Sequence, residues 1–146
     1  GEPGNGWAQV ISELAFERSG PERFLSAFRV IVEFAREVAA NPTPEQRALL
    51  GRLLAHLVAL RGMSVSVASM LQEGKSPAQG AALVKEVGNS FERLVPELVR
   101  LAVSGATSQR FLDTLNQCLL HAPSFTLRGG TREIMRGVIA RGLGLR

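Results

Sequence analysis

Near the end of the chain runs the stretch Leu127-Arg128-Gly129-Gly130-Thr131-Arg132-Glu133-Ile134-Met135-Arg136, which predicts a tight turn followed by a helix. Gly129 and Gly130 permit backbone conformations and close approaches that other residues resist. Thr131 is expected as the N-cap of the helix, and Glu133 and Arg136 suit the helix dipole. The free amides at such a helix start can bind an anionic or electron-rich group. From these residues alone, a plain glycine turn before a surface helix stays open as the simpler interpretation.

Upstream of this stretch, apolar residues recur at helical spacing in segments that Pro and Gly separate. Helices are expected before the last one at residues 6–16, 21–39, 44–72, 77–103 and 108–119. Thr43 and Ser76 are the expected N-caps, each followed by a proline (Pro44 and Pro77) at the first helical position. Pro96 is expected to kink or split its helix. Short links between long helices favour antiparallel neighbours, so the sequence predicts an all-α antiparallel bundle of about five or six helices.

The charge of the chain is positive, with a formal net charge of +4 that comes almost entirely from arginine. A basic chain raises the question of nucleic-acid binding. The arginines are scattered and interleaved with glutamates, as in Glu17-Arg18, and no basic run is present. We therefore expect no nucleic-acid partner.

Three further features restrict the class of protein. No uninterrupted apolar run approaches the ~18 residues of a membrane-spanning helix, so no membrane span is expected. Cys118 is the single cysteine and cannot form a disulfide within the chain, which favours a cytoplasmic location. His56 lies beside the apolar face of the 44–72 helix without a second ligand-type residue at matching spacing, so no metal site is expected.

The glycine turn and its helix resemble the end of the flavin-dependent acyl-CoA dehydrogenases. The resemblance rests on Gly-Gly-Thr-x-Glu-Ile-x-Arg, on Ile139-Ala140-Arg141 and on a terminal Leu-Gly-Leu. Near the other end, Leu14-Ala15-Phe16-Glu17-Arg18 resembles the family's Leu-x-x-Glu-Arg motif. Residues 1–146 look like the C-terminal helical domain of such an enzyme. The resemblance implies an N-terminal helical domain and a middle β-domain that this chain lacks, so we expect a fragment or an excised domain.

The resemblance also implies a reaction, which is α,β-dehydrogenation of an acyl-CoA with FAD as hydride acceptor and a carboxylate as base. Many members carry the base in the loop before the last helix, at the position that is Gly129 here. Others use the Glu of Leu-x-x-Glu-Arg, which here is Glu17, with Arg18 in support. The cofactor-binding residues implied by the resemblance are Gly129, Gly130, Thr131 and Glu133. An electron-transfer acceptor and a homo- or hetero-oligomer built through this domain are the implied partners.

Two motifs that reach the FAD of a neighbouring subunit in the family are not matched. Residues 36–42 do not contain Arg-x-x-Phe-Gly, and residues 101–107 do not contain Gln-x-x-Gly-Gly-x-Gly; residues 104–107 predict a turn instead. A non-catalytic or structural subunit of a hetero-oligomer is therefore a second interpretation. An unrelated helical interaction module is a third.

Overall fold

The fold consists of helices alone in the residues that the computed structural model describes, which are 1–103, 105 and 107–145. The elements are α1 (Gly6–Ser19), the 3₁₀ helix η1 (Pro21–Arg23), α2 (Phe28–Val38), α3 (Pro44–Gln72), α4 (Ala78–Ala102), α5 (Gln109–His121), the 3₁₀ helix η2 (Ala122–Thr126) and α6 (Arg132–Gly142). The predicted all-α fold of about five or six helices is confirmed. The predicted turn at 104–107 lies partly outside the described residues.

Helices α3 and α6, which pack on α4, run antiparallel to it. Gln46 at the start of α3 donates to the carbonyl of Ala102 at the end of α4, at 2.9 Å. At the other end of the same pair, Val67 of α3 lies 3.0 Å from a Cβ built at Gly80 of α4. Helix α6 crosses α4 in the same sense, because its first turn is tied to Glu86 while Gly142 at its end lies against Gln79. Helix α4 is thus the central helix on which α1, α3 and α6 pack.

The core is aliphatic and aromatic and joins α2, α3, α4 and α5. Its fully buried large side chains include Ile31, Phe34, Leu60, Val84, Val95, Val99 and Phe111. Burial of such side chains contributes roughly 1.5–3 kcal/mol each relative to exposure, which makes this core the main source of stability.

Helix α3 has the bounds predicted for it, because its start is chemically specified. The Thr43 hydroxyl accepts from the Gln46 amide, the Gln46 side chain accepts from the Thr43 amide, and Pro44 fills the first turn. This helix also contains an 18-residue window of mean hydropathy 1.5, long and apolar enough by composition to cross a membrane. One such helix is weak support for a span, and α3 packs on α4 and α2 within the bundle.

The predicted helix over 21–39 is wrong, because the structure divides it into η1 and α2. The amide of Ser26 donates to Glu92 Oε1 at 2.7 Å instead of entering a helical ladder. Residues 24–27 therefore form a turn, and α2 begins only at Phe28. The apolar spacing at 24–28 reflects a buried turn whose Phe24 and Ala27 enter the core.

Other helix ends differ by a few residues. Helix α1 runs on to Ser19, and its apolar residues Trp7, Val10 and Ile11 are exposed, with Trp7 77% exposed. Helix α4 starts at Ala78 with Pro77 rather than Ser76 at the N-cap position. Pro96 does not split α4, which continues to Ala102. Ser108 caps α5 through its hydroxyl, and that helix continues to His121.

Candidate functional site

The glycine turn adopts the backbone for which glycine is needed. Gly129 and Gly130 have φ of +68° and +105°, in the left-handed region that side chains disfavour. Met135, one turn into α6, is fully buried and anchors the helix, and its Cε lies 3.1 Å from where a Cβ of Gly130 would stand. The turn is therefore held tightly against the bundle.

Glu17 lies directly against this turn. A Cβ atom at position 129 would overlap Glu17 Oε2 and would lie 2.9 Å from the carboxyl carbon. Arg18 Nε donates to the carbonyl oxygen of Gly129 at 2.9 Å, across 111 residues of sequence. The structure thus brings Glu17, Arg18 and Gly129 together, and Gly129 provides the space that the carboxylate occupies.

The carboxylate of Glu17 is also held from its other side by Arg23 in η1. Arg23 Nη2 forms an ion pair with Glu17 Oε1, and Arg23 Nε donates to the backbone carbonyl of Glu17 at 2.9 Å. Arg23 is 2% exposed, whereas the Glu17 side chain is 36% exposed. Glu17 Oε2 has no hydrogen-bond partner among the described residues. One carboxylate oxygen is therefore fixed, and the other faces the glycine turn.

A buried carboxylate connects the two segments around Glu17. Glu92 of α4 is fully buried and accepts from the Ser26 amide, just after η1, and from Arg128 Nη2 at 2.8 Å, just before the glycine turn. Arg128 also stacks its guanidinium 4.9 Å over the ring of Phe125. Burial raises the pKa of Glu92, against the lowering by Ser26 and by the positive charge of Arg128.

The second buried charge of α4 is Lys85, which is 0% exposed. With the Asn89 amide oriented to suit its neighbours, Asn89 accepts from Lys85 Nζ at 2.9 Å and donates to the carbonyl of Phe125 at 3.0 Å. Burial, together with the positive charges of Arg23 and Arg128, lowers the pKa of Lys85 to about 8. Lys85 thus lies near the same positive charges, Arg18, Arg23 and Arg128, that surround Glu17 and the glycine turn.

Thr131 and Glu133 lie on the outer, exposed side of the turn. Thr131 occupies the N-cap position as predicted, but its hydroxyl makes no capping hydrogen bond. The pKa of the Glu133 carboxyl is lowered, first by its own backbone amide and then by the Thr131 hydroxyl. The first turn of α6 is tied to α4 through Arg132 Nη2, which donates to Glu86 at 2.9 Å.

The predicted site residues therefore divide into two sets. Glu17, Arg18, Gly129 and Gly130 meet in one place, whereas Thr131 and Glu133 face outward beside them. Arg23, Ser26, Glu92 and Arg128 were not predicted. A signal for Arg23 was present, because Gly20-Pro21 ends α1 and turns the chain back so that Arg23 follows Glu17 closely in space.

The fit of a flavin can be judged from these residues. The turn offers a backbone surface without side chains beside the Glu17 carboxylate, whose buried Oε2 has no hydrogen-bond partner among the described residues. A cavity of about 510 Å³ lies elsewhere, between η1 and α3, and is lined by Phe24, Leu54 and Val58. Smaller cavities of about 340 Å³ and about 200 Å³ lie beside the start of α6; Arg132 lines both, and Thr131 and Glu133 line the smaller one. The residues around Gly129 could form at most one wall of a cofactor site.

Other candidate chemistry is not supported by the described part of the chain. No cluster of three His, Cys, Asp or Glu residues that could hold a metal is found within it. His56 stacks on Phe91 with ring centroids 5.6 Å apart. Burial raises the pKa of the Cys118 thiol to about 11, so this thiol is protonated and unreactive at neutral pH.

Comparison with known proteins places this geometry in context. The model of the family described as acyl-CoA dehydrogenase, C-terminal domain, matches residues 4–144. A search of curated proteins gives no match to the chain.

Proposed function

Since the chain belongs to the acyl-CoA dehydrogenase family through its C-terminal domain, we propose that it forms the helical part of a flavin-dependent acyl-CoA dehydrogenase and supplies the catalytic base, Glu17. The observation that carries this proposal is the placement of Glu17 Oε2 in the space that a side chain at Gly129 would fill. Members of the family carry the base at one of these two positions. In this chain the glycine at one position admits the carboxylate from the other.

The proposed reaction removes two hydrogens from an acyl-CoA thioester. In this proposal Glu17 takes the proton from the α-carbon on Oε2, which is buried and has no hydrogen-bond partner among the described residues. A bound FAD would supply the acceptor for the β-hydrogen, which leaves as hydride, so that the carbon–carbon double bond forms and atoms and electrons balance. Arg18 holds the carbonyl of Gly129 and so keeps the turn beside the base.

The remaining walls of the site are proposed to come from the family's N-terminal helical and middle β-domains and from a neighbouring subunit. Two exposed apolar surfaces support this. Trp7, Val10 and Ile11 are exposed on α1, and Leu54, Val58 and Val65 are exposed on α3. Exposed apolar patches of this kind are typical of interaction surfaces. We propose that a homo- or hetero-oligomer, an acyl-CoA and an electron-transfer acceptor are the partners of the assembled protein.

A non-catalytic subunit is the second candidate function. The observation that favours it is the absence of the two family motifs at 36–42 and 101–107. Such a subunit would pair with a catalytic partner and bind little FAD of its own. The match over residues 4–144 excludes the third interpretation, an unrelated helical module.

The test is Glu17→Gln in the protein that carries this chain together with its flavin-binding domains and partner. Loss of a base slows flavin reduction by acyl-CoA at least ~100-fold while acyl-CoA still binds. Glu13→Gln is the matched control, because Glu13 is an exposed glutamate one turn earlier on the same helix. Near-normal flavin reduction by the Glu17 variant would favour the non-catalytic subunit.

A further inference from the structure

We infer that Arg23 is a positioning residue for Glu17, which it holds from the buried side so that one carboxylate oxygen faces Gly129. The inference rests on the proposed role of Glu17 as base. It adds a residue that lies outside the Leu-x-x-Glu-Arg motif and outside the glycine turn.

The contacts of Arg23 fix both ends of Glu17. Its Nη2 pairs with Glu17 Oε1, and its Nε donates to the Glu17 backbone carbonyl at 2.9 Å. A guanidinium is a rigid planar fork, so these two contacts determine the orientation of the carboxylate and not only its charge. Oε1 is occupied by this pair, and Oε2 is left beside the turn without a hydrogen-bond partner among the described residues.

The position of Arg23 depends on an unusually close approach between η1 and α4. A Cβ atom at Gly88 would overlap the carbonyl oxygen of Arg23 and would lie 3.1 Å from its carbonyl carbon. Downstream of η1, the Ser26 amide is held by Glu92 at 2.7 Å. The backbone that carries Arg23 is therefore fixed against the central helix on both sides of the residue.

Other charged residues lie around the ion pair of Glu17 and Arg23. They are Arg18 of α1, Glu22 of η1 (3.8 Å from Arg23 Nε), Lys85 and Glu92 of α4, and Arg128 of the loop before α6. Burial and the nearby charge of Arg128 lower the pKa of Arg23. A buried positive charge in direct contact with a carboxylate favours its ionised form, which is the form that accepts a proton.

The test measures flavin reduction by acyl-CoA as a function of pH in the assembled protein, for Arg23→Gln, Arg23→Lys and Arg110→Gln. Arg110 is the matched control, because it is also paired with a buried carboxylate, Glu33, but lies on α5 outside the site. Arg23→Gln is expected to slow reduction at saturating acyl-CoA by about 10-fold or more, to move the acid limb of the pH profile to higher pH and to change acyl-CoA binding little. Arg110→Gln is expected to leave the rate of flavin reduction, the acid limb of its pH profile and acyl-CoA binding unchanged.

Arg23→Lys separates charge from orientation. It keeps the positive charge and loses the fork, so the acid limb is expected to stay in place while the rate still falls. If Arg23→Gln does not fold, this variant decides, and a wild-type rate in it overturns the inference. Two results for Arg23→Gln also overturn the inference. One is a rate of flavin reduction equal to that of Arg110→Gln, and the other is a slower rate with the acid limb of the pH profile unchanged. Glu17→Gln measured beside them separates the two proposals: a slow Glu17 variant with a normal Arg23 variant removes only the role of Arg23.

Discussion

Two buried carboxylates, Glu33 of α2 and Glu92 of α4, each pair with arginine but differ in what surrounds the pair. Glu33 accepts from Arg36 and Arg110, both at 2.8 Å, and both arginine side chains are exposed. Glu92 accepts from the Ser26 amide and from the partly buried Arg128. The pKa of Glu33 is lowered, first by the hydrogen bond from Arg110, whereas burial raises the pKa of Glu92.

The comparison shows that the ion pairs of Glu33 are exposed to solvent, whereas those of Glu92 are buried. The Glu33 pairs are in contact with solvent, which screens them and limits what they contribute to stability. The Glu92 cluster lies inside the protein, where each charge loses hydration and depends on its partners. The region around the candidate site is thus the one in which buried polar groups are held together at a cost in stability, as expected where function requires specific charges.

The largest expected effect comes from deleting each carboxylate. Glu92→Ala leaves the partly buried Arg128 and the Ser26 amide without their acceptor, and the buried Lys85 without a nearby counter-charge. Breaking a buried pair in this way costs about 3–5 kcal/mol. Glu33→Ala leaves two exposed arginines that water can solvate, so its cost is much smaller. Urea unfolding of both variants measures the difference, and equal losses would contradict the comparison.

A smaller effect is expected at the close approach of η1 to α4. Gly88→Ala forces the Arg23 carbonyl to move, and we expect a loss of about 1–3 kcal/mol. Gly62→Ala is the matched control in the interior of a helix, where a Cβ meets open space. That change should stabilise by about 0.5–1 kcal/mol, since alanine favours the helix. Thermal unfolding measures whether each variant is less or more stable than the wild type. Stabilisation by Gly88→Ala would show that η1 is not closely packed against α4.

The pH dependence of stability provides a third test, centred on Lys85. Its pKa is lowered to about 8 in the folded protein from an ordinary value of 10.5. Between these values the unfolded chain binds more protons, so the contribution of Lys85 to stability rises with pH across the window. Lys85→Met should remove that rise, whereas Lys75→Met, at an exposed lysine, should not. The difference between wild type and variant isolates Lys85, because any titration of Cys118 is common to both.

The smallest expected effect is the acid response of Glu33. Because its folded-state pKa is lowered, its contribution to stability is present above the ordinary Glu value of about 4.3 and is lost as pH falls through the lower, folded value. Glu33→Gln should flatten this part of the stability profile. Denaturant midpoints measured at neutral and acidic pH check it, and an unchanged acid slope would count against an ionised Glu33.

Two helix boundaries differ in how well the sequence predicts them. The bounds of α3 were predictable because its start is set by residues adjacent in sequence, Thr43, Pro44 and Gln46. The turn between η1 and α2 was not, because the acceptor for the Ser26 amide is a side chain 66 residues away. Local chemistry appears in a sequence pattern, whereas a hydrogen bond between distant segments does not.

The candidate site was predictable in part. Glu17 and the glycine pair stood out through motif resemblance, and the structure brings them into contact. Glu92 has no signal in the sequence, because burial of a charged side chain depends on what folds over it. For Arg23 the turn at Gly20-Pro21 indicates proximity to Glu17 but not burial. The exposure of the apolar residues of α1 has a related cause, since apolar residues at helical spacing predict a helix but not whether the rest of the chain covers them.

The overlap between Glu17 Oε2 and a Cβ at position 129 restricts how this chain can change by single substitutions. A side chain at 129 and an inward carboxylate at 17 exclude each other, and the left-handed φ of Gly129 disfavours the side chain further. Adding a glutamate at 129 first crowds the site, and removing Glu17 first leaves it without this carboxylate. Moving the acidic group from position 17 to position 129 therefore requires two changes, and the intermediate is either crowded or without an acidic group at both positions.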